Sequence, residues 1–327
     1  MTSQLSDIFA KRLADAVSRE VALDGNYASL TDQSADRNQQ QTNEVFSEKW
    51  GKYASTGDLE TFYRFQRSWY LKLYGFADEA ALRNRLASAK VILDAGCGLG
   101  YKAAWFAALA PHALVVGIDF SEAARQAADL FPERDNLIFL RGDIALTPFR
   151  NGAVDYVSCD QVIMHTEDPE ATFTELARIT DPARGEFACY FYAKKALPRE
   201  LLDDYFRVHC KEVTSKQLWE MSEQLTELGK RLSALNVSFD TPAIPLLGIK
   251  GGEIDIQRFI HWNFLKCFWN EELGHDTSLA TNFDWYSPSN ARRFSEEEVR
   301  AIVAANSMNI VTFHSEEAAH SGRFAHR

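Results

Sequence analysis

Apolar residues recur at helical spacing at the start of the chain. Leu5, Ile8, Phe9, Leu13, Ala16, Val17 and Val21 predict one amphipathic helix over residues 4–23. Residues 31–44, TDQSADRNQQQTNE, hold Ala35 as their one apolar side chain and read as a linker or mobile loop. Residues 45–76 return to an aromatic-rich helical pattern. After Lys90 the period changes. Short β-branched runs at 91–96, 114–119, 137–143, 154–160 and 186–192 alternate with helical stretches at 101–109, 122–130 and 169–180. Alternation of this kind predicts a parallel sheet with helices on both faces. Residues 194–290 lose the rhythm and show helical periodicity, interrupted by the Pro/Gly-rich TPAIPLLGIKGG. Ser295 and Glu298 then form a capping box for a helix through Ala304, and residues 308–316 and 321–327 read as two strands joined by a tight turn.

The pattern predicts a doubly wound α/β fold: a seven-stranded, mostly parallel sheet ending in an antiparallel hairpin. The N-terminal helical region spans residues 1–89. The core spans 90–194 and 291–327, and a helical lid or substrate insertion occupies 195–290. Internal repeats are absent from the sequence.

Composition narrows the function classes. The 327 residues are 46 % apolar and 25 % charged, an ordinary globular balance. A net charge of −11 without a long basic run argues against a nucleic-acid partner, whose phosphates need cations. The apolar runs fall short of the roughly 20 residues that span a membrane, and charges interrupt the first 25 residues, so neither a span nor a signal peptide is expected. Five scattered cysteines with no C-x-x-C pair predict reduced thiols in a cytoplasmic protein, with no zinc site. His209, His261 and His275 are too dispersed to suggest a metal. The N-terminal amphipathic stripe needs burial, within the chain or in a homodimer.

The chemistry concentrates at the ends of three strands. The first ends in Asp94-Ala95-Gly96-Cys97-Gly98-Leu99-Gly100, a loop that turns sharply and lets a ligand approach the backbone. A dinucleotide fingerprint, G-x-G-x-x-G, would place its third glycine at Tyr101. Asp119, in GIDFS at the end of the next strand, can accept hydrogen bonds from both hydroxyls of a ribose, and Asp143, in Gly142-Asp143-Ile144, from an adenine amino group. Together they describe an adenosine. Asp119 and Asp143 also suit the plainer duty of capping helices.

In order and spacing, DAGCGLG, GIDFS, GDI and VDYVSCDQVIMHTEDP resemble the class I S-adenosylmethionine-dependent methyltransferases over about residues 90–192, together with the terminal helix and hairpin. His165 matches the second histidine of the family's stretch after strand four, and Met164 replaces the first. The resemblance implies S-adenosylmethionine as cofactor and S-adenosylhomocysteine as product. It assigns the methionine part to Gly96, Gly98 and Gly100, with Asp94 orienting the loop or the amino group. Ala95, Cys97, Phe120 and Ile144 flank these contacts. Cys159, Asp160 and Gln161 would pass beside the transferable methyl, and Trp50, Tyr53 and Arg67 would close over the cofactor from the N-terminal segment. His165 and Asp160 are the candidate bases, should the acceptor need one.

The acceptor is expected to be small, and hydrophobic or ring-bearing. Asp160-Gln161-Val162-Ile163 lacks the Asn/Asp-Pro-Pro-aromatic tetrapeptide of the DNA amino-methyltransferases. The insertion supplies Tyr205, His261, Trp262, Trp269 and Trp285 as candidate pocket residues. Trp262, Leu265 and Trp269 fall on one face of a helix at that spacing, which fits core or interface as well as a pocket. Two rival readings stay open: an NAD-dependent oxidoreductase, and a non-catalytic adenosyl-binding module.

Overall fold

The structure, a computed structural model, describes residues 5–30, 36–53 and 59–327, the side chains of 49–53 and 59–62 excepted. It divides into two compact units: residues 1–192 with 292–327, and residues 193–291.

Unit 1 begins with α1 (Asp7–Ala16), β1 (Tyr27–Ser29), α2 (Arg37–Tyr53), α3 (Leu59–Leu73) and α4 (Glu79–Leu86). The first helix is shorter than its apolar spacing predicts, because Val17 turns to an extended backbone and bridges to Phe149. Phe9, Leu13 and Ala16 are buried in the core of this unit while Ile8 stays exposed, so α1 hides most of its apolar stripe within the chain, and the argument for a homodimer from that stripe weakens. Residues 37–44 are the first turns of α2 rather than a loop. The Asp36 carboxylate accepts from the Gln39 amide at 2.6 Å and opens the helix.

The sheet strands follow as β2 (Val91–Ala95), β3 (Leu114–Asp119), β4 (Leu137–Arg141), β5 (Tyr156–Cys159) and β6 (Glu186–Tyr192), linked through α5 (Tyr101–Leu109), α6 (Ala123–Leu130) and α7 (Pro169–Ile179). Nearly every residue of these strands is buried, as expected where helices cover both faces. Asp155 ties the entry of the sheet, accepting from the Lys90 and Val91 amides and from Arg184.

Unit 2 comprises α8 (Leu197–Cys210), α9 (Ser215–Ala234), β7 (Ser238–Thr241), β8 (Gly252–Asp255), α10 (Ile256–Asn263) and α11 (Gly274–Tyr286). The Pro/Gly-rich stretch joins β7 and β8, which form a two-stranded antiparallel sheet in an otherwise helical unit. Phe283 of α11 stacks on Trp219 of α9 at 3.7 Å between ring centres.

The chain re-enters unit 1 with α12 (Glu296–Ala305), β9 (Met308–Ser315) and β10 (Ala319–His326). The Ser295–Glu298 capping box is formed. The main sheet has eight strands in the order β1-β4-β3-β2-β5-β6-β10-β9, all parallel except the terminal hairpin. The expected seven are joined by β1, three residues paired with β4 at the edge and too short to carry a periodic signal. No helix among the described residues is long and apolar enough to cross a membrane.

Candidate functional site

β2 lies between β3 and β5, and the chain leaves it in opposite directions on its two sides, the switch point where open α/β sheets bind ligands. A cleft of about 660 Å³, counting its open mouth, lies there. Gly96, Gly98, Asp119, Phe120, Asp143, Ile144, Gln161 and His165 line it.

The glycines have different duties. Gly96 has φ +79° and its backbone runs against Val162, where a Cβ would come within 2.4 Å of the Val162 methyls. Gly100 does not line the cleft. It sits at φ +79° at the start of α5, and a Cβ there would meet the Phe139 ring at 2.6 Å. The position serves close packing of helix on sheet, and the lining of the cleft lends no support to assigning Gly100 to the methionine part. Ala95 and Cys97 are buried beside the loop and do not line the cleft either.

Asp94 is 1 % exposed and, like Asp160, does not line the cleft; no side chain donates to either carboxylate oxygen, and the Ala103 amide favours its charge only weakly. Burial lifts its pKa to about 6, against the pull of nearby Lys102. A buried carboxylate with so little donation is costly unless something satisfies it. Asp119 is already engaged. Its Oδ2 accepts from the Gly98 amide at 2.9 Å, and its Oδ1 from the amide and hydroxyl of Ser121 at 2.9 and 2.6 Å. A carboxylate offers about four acceptor positions, so three are used and one remains, short of the two ribose hydroxyls expected. Asp143 accepts from the Ala145 amide at 2.8 Å, and burial raises its pKa.

Asp160 is locked under the loop. It accepts from Lys102 Nζ at 2.6 Å, from the Tyr74 hydroxyl at 2.9 Å and from Gln161 Nε2 at 3.3 Å. Burial opposes the Lys102 charge, but the Asp160 and Asp94 carboxylates outweigh it and hold its pKa above the usual lysine value. Asp160 and Cys159 are buried and do not line the cleft. Gln161 does, at φ +64°, a strained backbone of the kind that gathers at functional sites. Its amide also donates to Gln66 on α3 at 3.1 Å. The His165 ring meets Phe46 and Tyr192 edge-on, at 4.9 and 5.4 Å.

The N-terminal contribution differs from the expected one. Gln39, Thr42, Asn43 and Phe46 of α2 line the cleft, all from or next to the segment read as a linker. The signal was present, since Asp36 with Gln39 three residues on is a capping-box pattern. Arg67 lies over the Trp105 ring at 5.8 Å and does not line the cleft. Trp50 and Tyr53 fall on α2, but their side chains lie outside the described residues. Lys102 and Tyr74 were not foreseen, because nothing local in sequence marks the partners of Asp160.

The aromatic stripe of unit 2 is not a helical face. α10 ends at Asn263, and the backbone beyond it is held by side chains. His261 Nδ1 accepts from the Cys267 amide, Gln257 donates to the Cys267 carbonyl, and Asn282 holds both the amide and carbonyl of Phe268. Leu265 and Trp269 therefore leave the face of Trp262. Tyr205 is 66 % exposed, with its ring against His209. Trp269 carries Lys230, whereas Trp262 and Trp285 share the Lys195 ammonium at 5.5 and 5.4 Å, with His261 edge-on to Trp262 at 4.5 Å. Among the described residues, no group of three His, Cys, Asp or Glu side chains is placed to hold a metal.

Residues 93–188 match a family described as a methyltransferase domain. An uncharacterized methyltransferase of Schizosaccharomyces pombe is 36 % identical over 107 residues, 30 % of this chain and 38 % of that protein. The malonyl-[acyl-carrier protein] O-methyltransferase of Legionella pneumophila is 37 % identical over 27 % of this chain and 31 % of its own length. The chain thus spans about a third of the curated relatives it matches. The magnesium protoporphyrin IX methyltransferase of Synechocystis, solved with S-adenosylmethionine, superposes with a TM-score of 0.48 at 13 % identity, over 90 % of this chain and all of that one.

Proposed function

We propose that this chain, which carries a class I S-adenosylmethionine-dependent methyltransferase domain, transfers a methyl group from that cofactor to a small, hydrophobic or ring-bearing acceptor. The observation that carries the reading is the pairing of a glycine loop pressed against Val162 with the buried Asp94 carboxylate, to which no side chain donates, at the switch point of the sheet. The residues fit the cofactor. The Asp94 carboxylate suits an ammonium, the remaining acceptor position of Asp119 suits one ribose hydroxyl, and Asp143 suits an adenine amino group.

When bound, S-adenosylmethionine supplies an electrophilic methyl that already carries its leaving group, so the protein has to align the acceptor and exclude water. Phe46, Phe120, Ile144 and Val162 give the cleft an apolar wall that does both. His165 lines the same cleft and takes the proton of an acceptor that needs deprotonation. Asp160, bound on three sides, acts as a positioning residue that sets Gln161 and Lys102 rather than as a base.

The test is transfer itself. Protein is incubated with methyl-labelled S-adenosylmethionine and a metabolite extract freed of protein and nucleic acid. The label is expected in the organic-extractable fraction, with His165→Ala slowing it at least tenfold while cofactor affinity stays within threefold. Label that moves only when protein or nucleic acid is restored would overturn the small acceptor.

A further inference from the structure

Unit 2 concentrates positive charge around one buried indole. Lys195, Arg199, Arg207 and Lys266 all lie over the Trp285 ring, at 5.4, 5.1, 5.5 and 4.9 Å from its centre. Arg199 is fully buried, and Lys266 nearly so. The main carboxylate among them is spent. Asp203 accepts from Arg199 Nε at 2.8 Å, from the Trp285 indole at 2.7 Å and from the Tyr286 hydroxyl at 2.9 Å. Glu200 accepts from the Lys195 backbone amide.

Two donors in this cluster have no acceptor. Arg199 gives Nε to Asp203 and Nη1 to the His261 carbonyl, but its buried Nη2 has no partner. His261 is fully buried and its Nδ1 accepts from the Cys267 amide, which fixes the ring proton on Nε2. That Nε2–H is also without a partner. Burial, and then the Lys266, Arg199, Arg258 and Lys195 charges, hold the His261 pKa well below the usual imidazole value. Burial, and then the Arg199 charge, bring the Lys266 pKa down to about 7. Asp203 and Asp284 pull the Lys266 pKa the other way but do not restore it. Buried donors without acceptors, where cations outnumber carboxylates, are the complement of an oxyanion.

We propose that unit 2 holds a buried oxyanion site in which Arg199 Nη2, His261 Nε2, Lys266 and Lys195 receive a carboxylate or phosphate group beside Trp285. Lys195 keeps the most exposure of the four cations and marks the way in. The site stands independently of the cofactor reading, since none of its residues lines the cleft of unit 1.

The full chain, without cofactor, is titrated with inorganic phosphate and separately with benzoate at constant ionic strength, following Tm. A saturable rise is expected with at least one of them: with phosphate alone for a phosphate site, with benzoate alone for a carboxylate site, with both for their shared chemistry. Lys266→Met should weaken the apparent Kd at least tenfold without lowering the Tm of the ligand-free protein by more than a few degrees, because it removes a buried cation that Asp203 and Asp284 only partly offset and keeps the packing. Lys195→Met, at the more exposed position, should weaken it less and guards against a folding defect in the first variant. A rise that never saturates, or one that both variants retain in full, overturns the site.

Discussion

The cleft of unit 1 and the cluster of unit 2 carry opposite defects. At the foot of the glycine loop a buried carboxylate, Asp94, receives no side-chain donor. In unit 2 two buried donors, Arg199 Nη2 and His261 Nε2, have no acceptor. A folded chain tolerates few such groups, since each costs about 1–3 kcal/mol if left unsatisfied. The defects point to ligands of opposite character: a cationic amine where the carboxylate is bare, an anion where the donors are bare. The two regions also differ in their scaffolds. The cleft rests on strand ends whose spacing is regular, whereas the cluster draws on α8, α10, α11 and the irregular backbone at 264–268.

The comparison can be broken first at Asp203, which alone balances Arg199 at close range. Asp203→Ala should cost about 3–5 kcal/mol in urea unfolding, because it strands a buried guanidinium. A cost below 1 kcal/mol would mean the cluster is already hydrated, and the contrast would vanish. Gly100→Ala should cost about 2–3 kcal/mol, since the new Cβ meets Phe139 at a backbone angle that only glycine takes freely. Its effect on cofactor affinity should be small once refolded, which separates packing from binding in the loop.

The pH dependence sharpens the contrast further. Asp94 titrates near 6 when folded and near 4 when unfolded, so the folded chain holds the extra proton between those values. Its contribution to stability is therefore complete below about pH 4 and is lost as pH rises through 6. Binding runs the other way, because a ligand ammonium needs the carboxylate. Affinity for S-adenosylhomocysteine should fall by up to about tenfold per pH unit below 6, and Asp94→Asn should flatten that slope. A wild-type slope that survives in Asp94→Asn assigns the titration elsewhere. The smallest effect is expected from Asn43→Ala on α2, about threefold to fivefold in the same Kd, or roughly 1 kcal/mol.

The strand runs after Lys90, the helices between them and the Ser295 cap were legible because both faces of each strand are buried and the cap is local. The places of Asp94, Asp119 and Asp143 at the ends of neighbouring strands were legible for a related reason: a carboxylate closing an apolar run is conspicuous. What escaped was set by contacts remote in sequence. The remote partners of Asp160 come from the turn after α3 and from α5, and Gly100 was read as a ligand contact because its neighbour Phe139 lies two strands along. Residues 37–44 were misjudged on polarity alone, although Asp36 carried a cap. The unit 2 aromatics kept helical spacing in sequence while Asn282 and Gln257 held their backbone out of a helix.

Calorimetry of S-adenosylhomocysteine and NAD against the wild type and Asp119→Ala tests the central claim most directly. The account predicts micromolar binding of the sulfur nucleoside, at least tenfold weaker in the variant because Gly98 and Ser121 lose their common acceptor, and no heat from NAD. Binding of NAD with none of S-adenosylhomocysteine at millimolar concentration would contradict it.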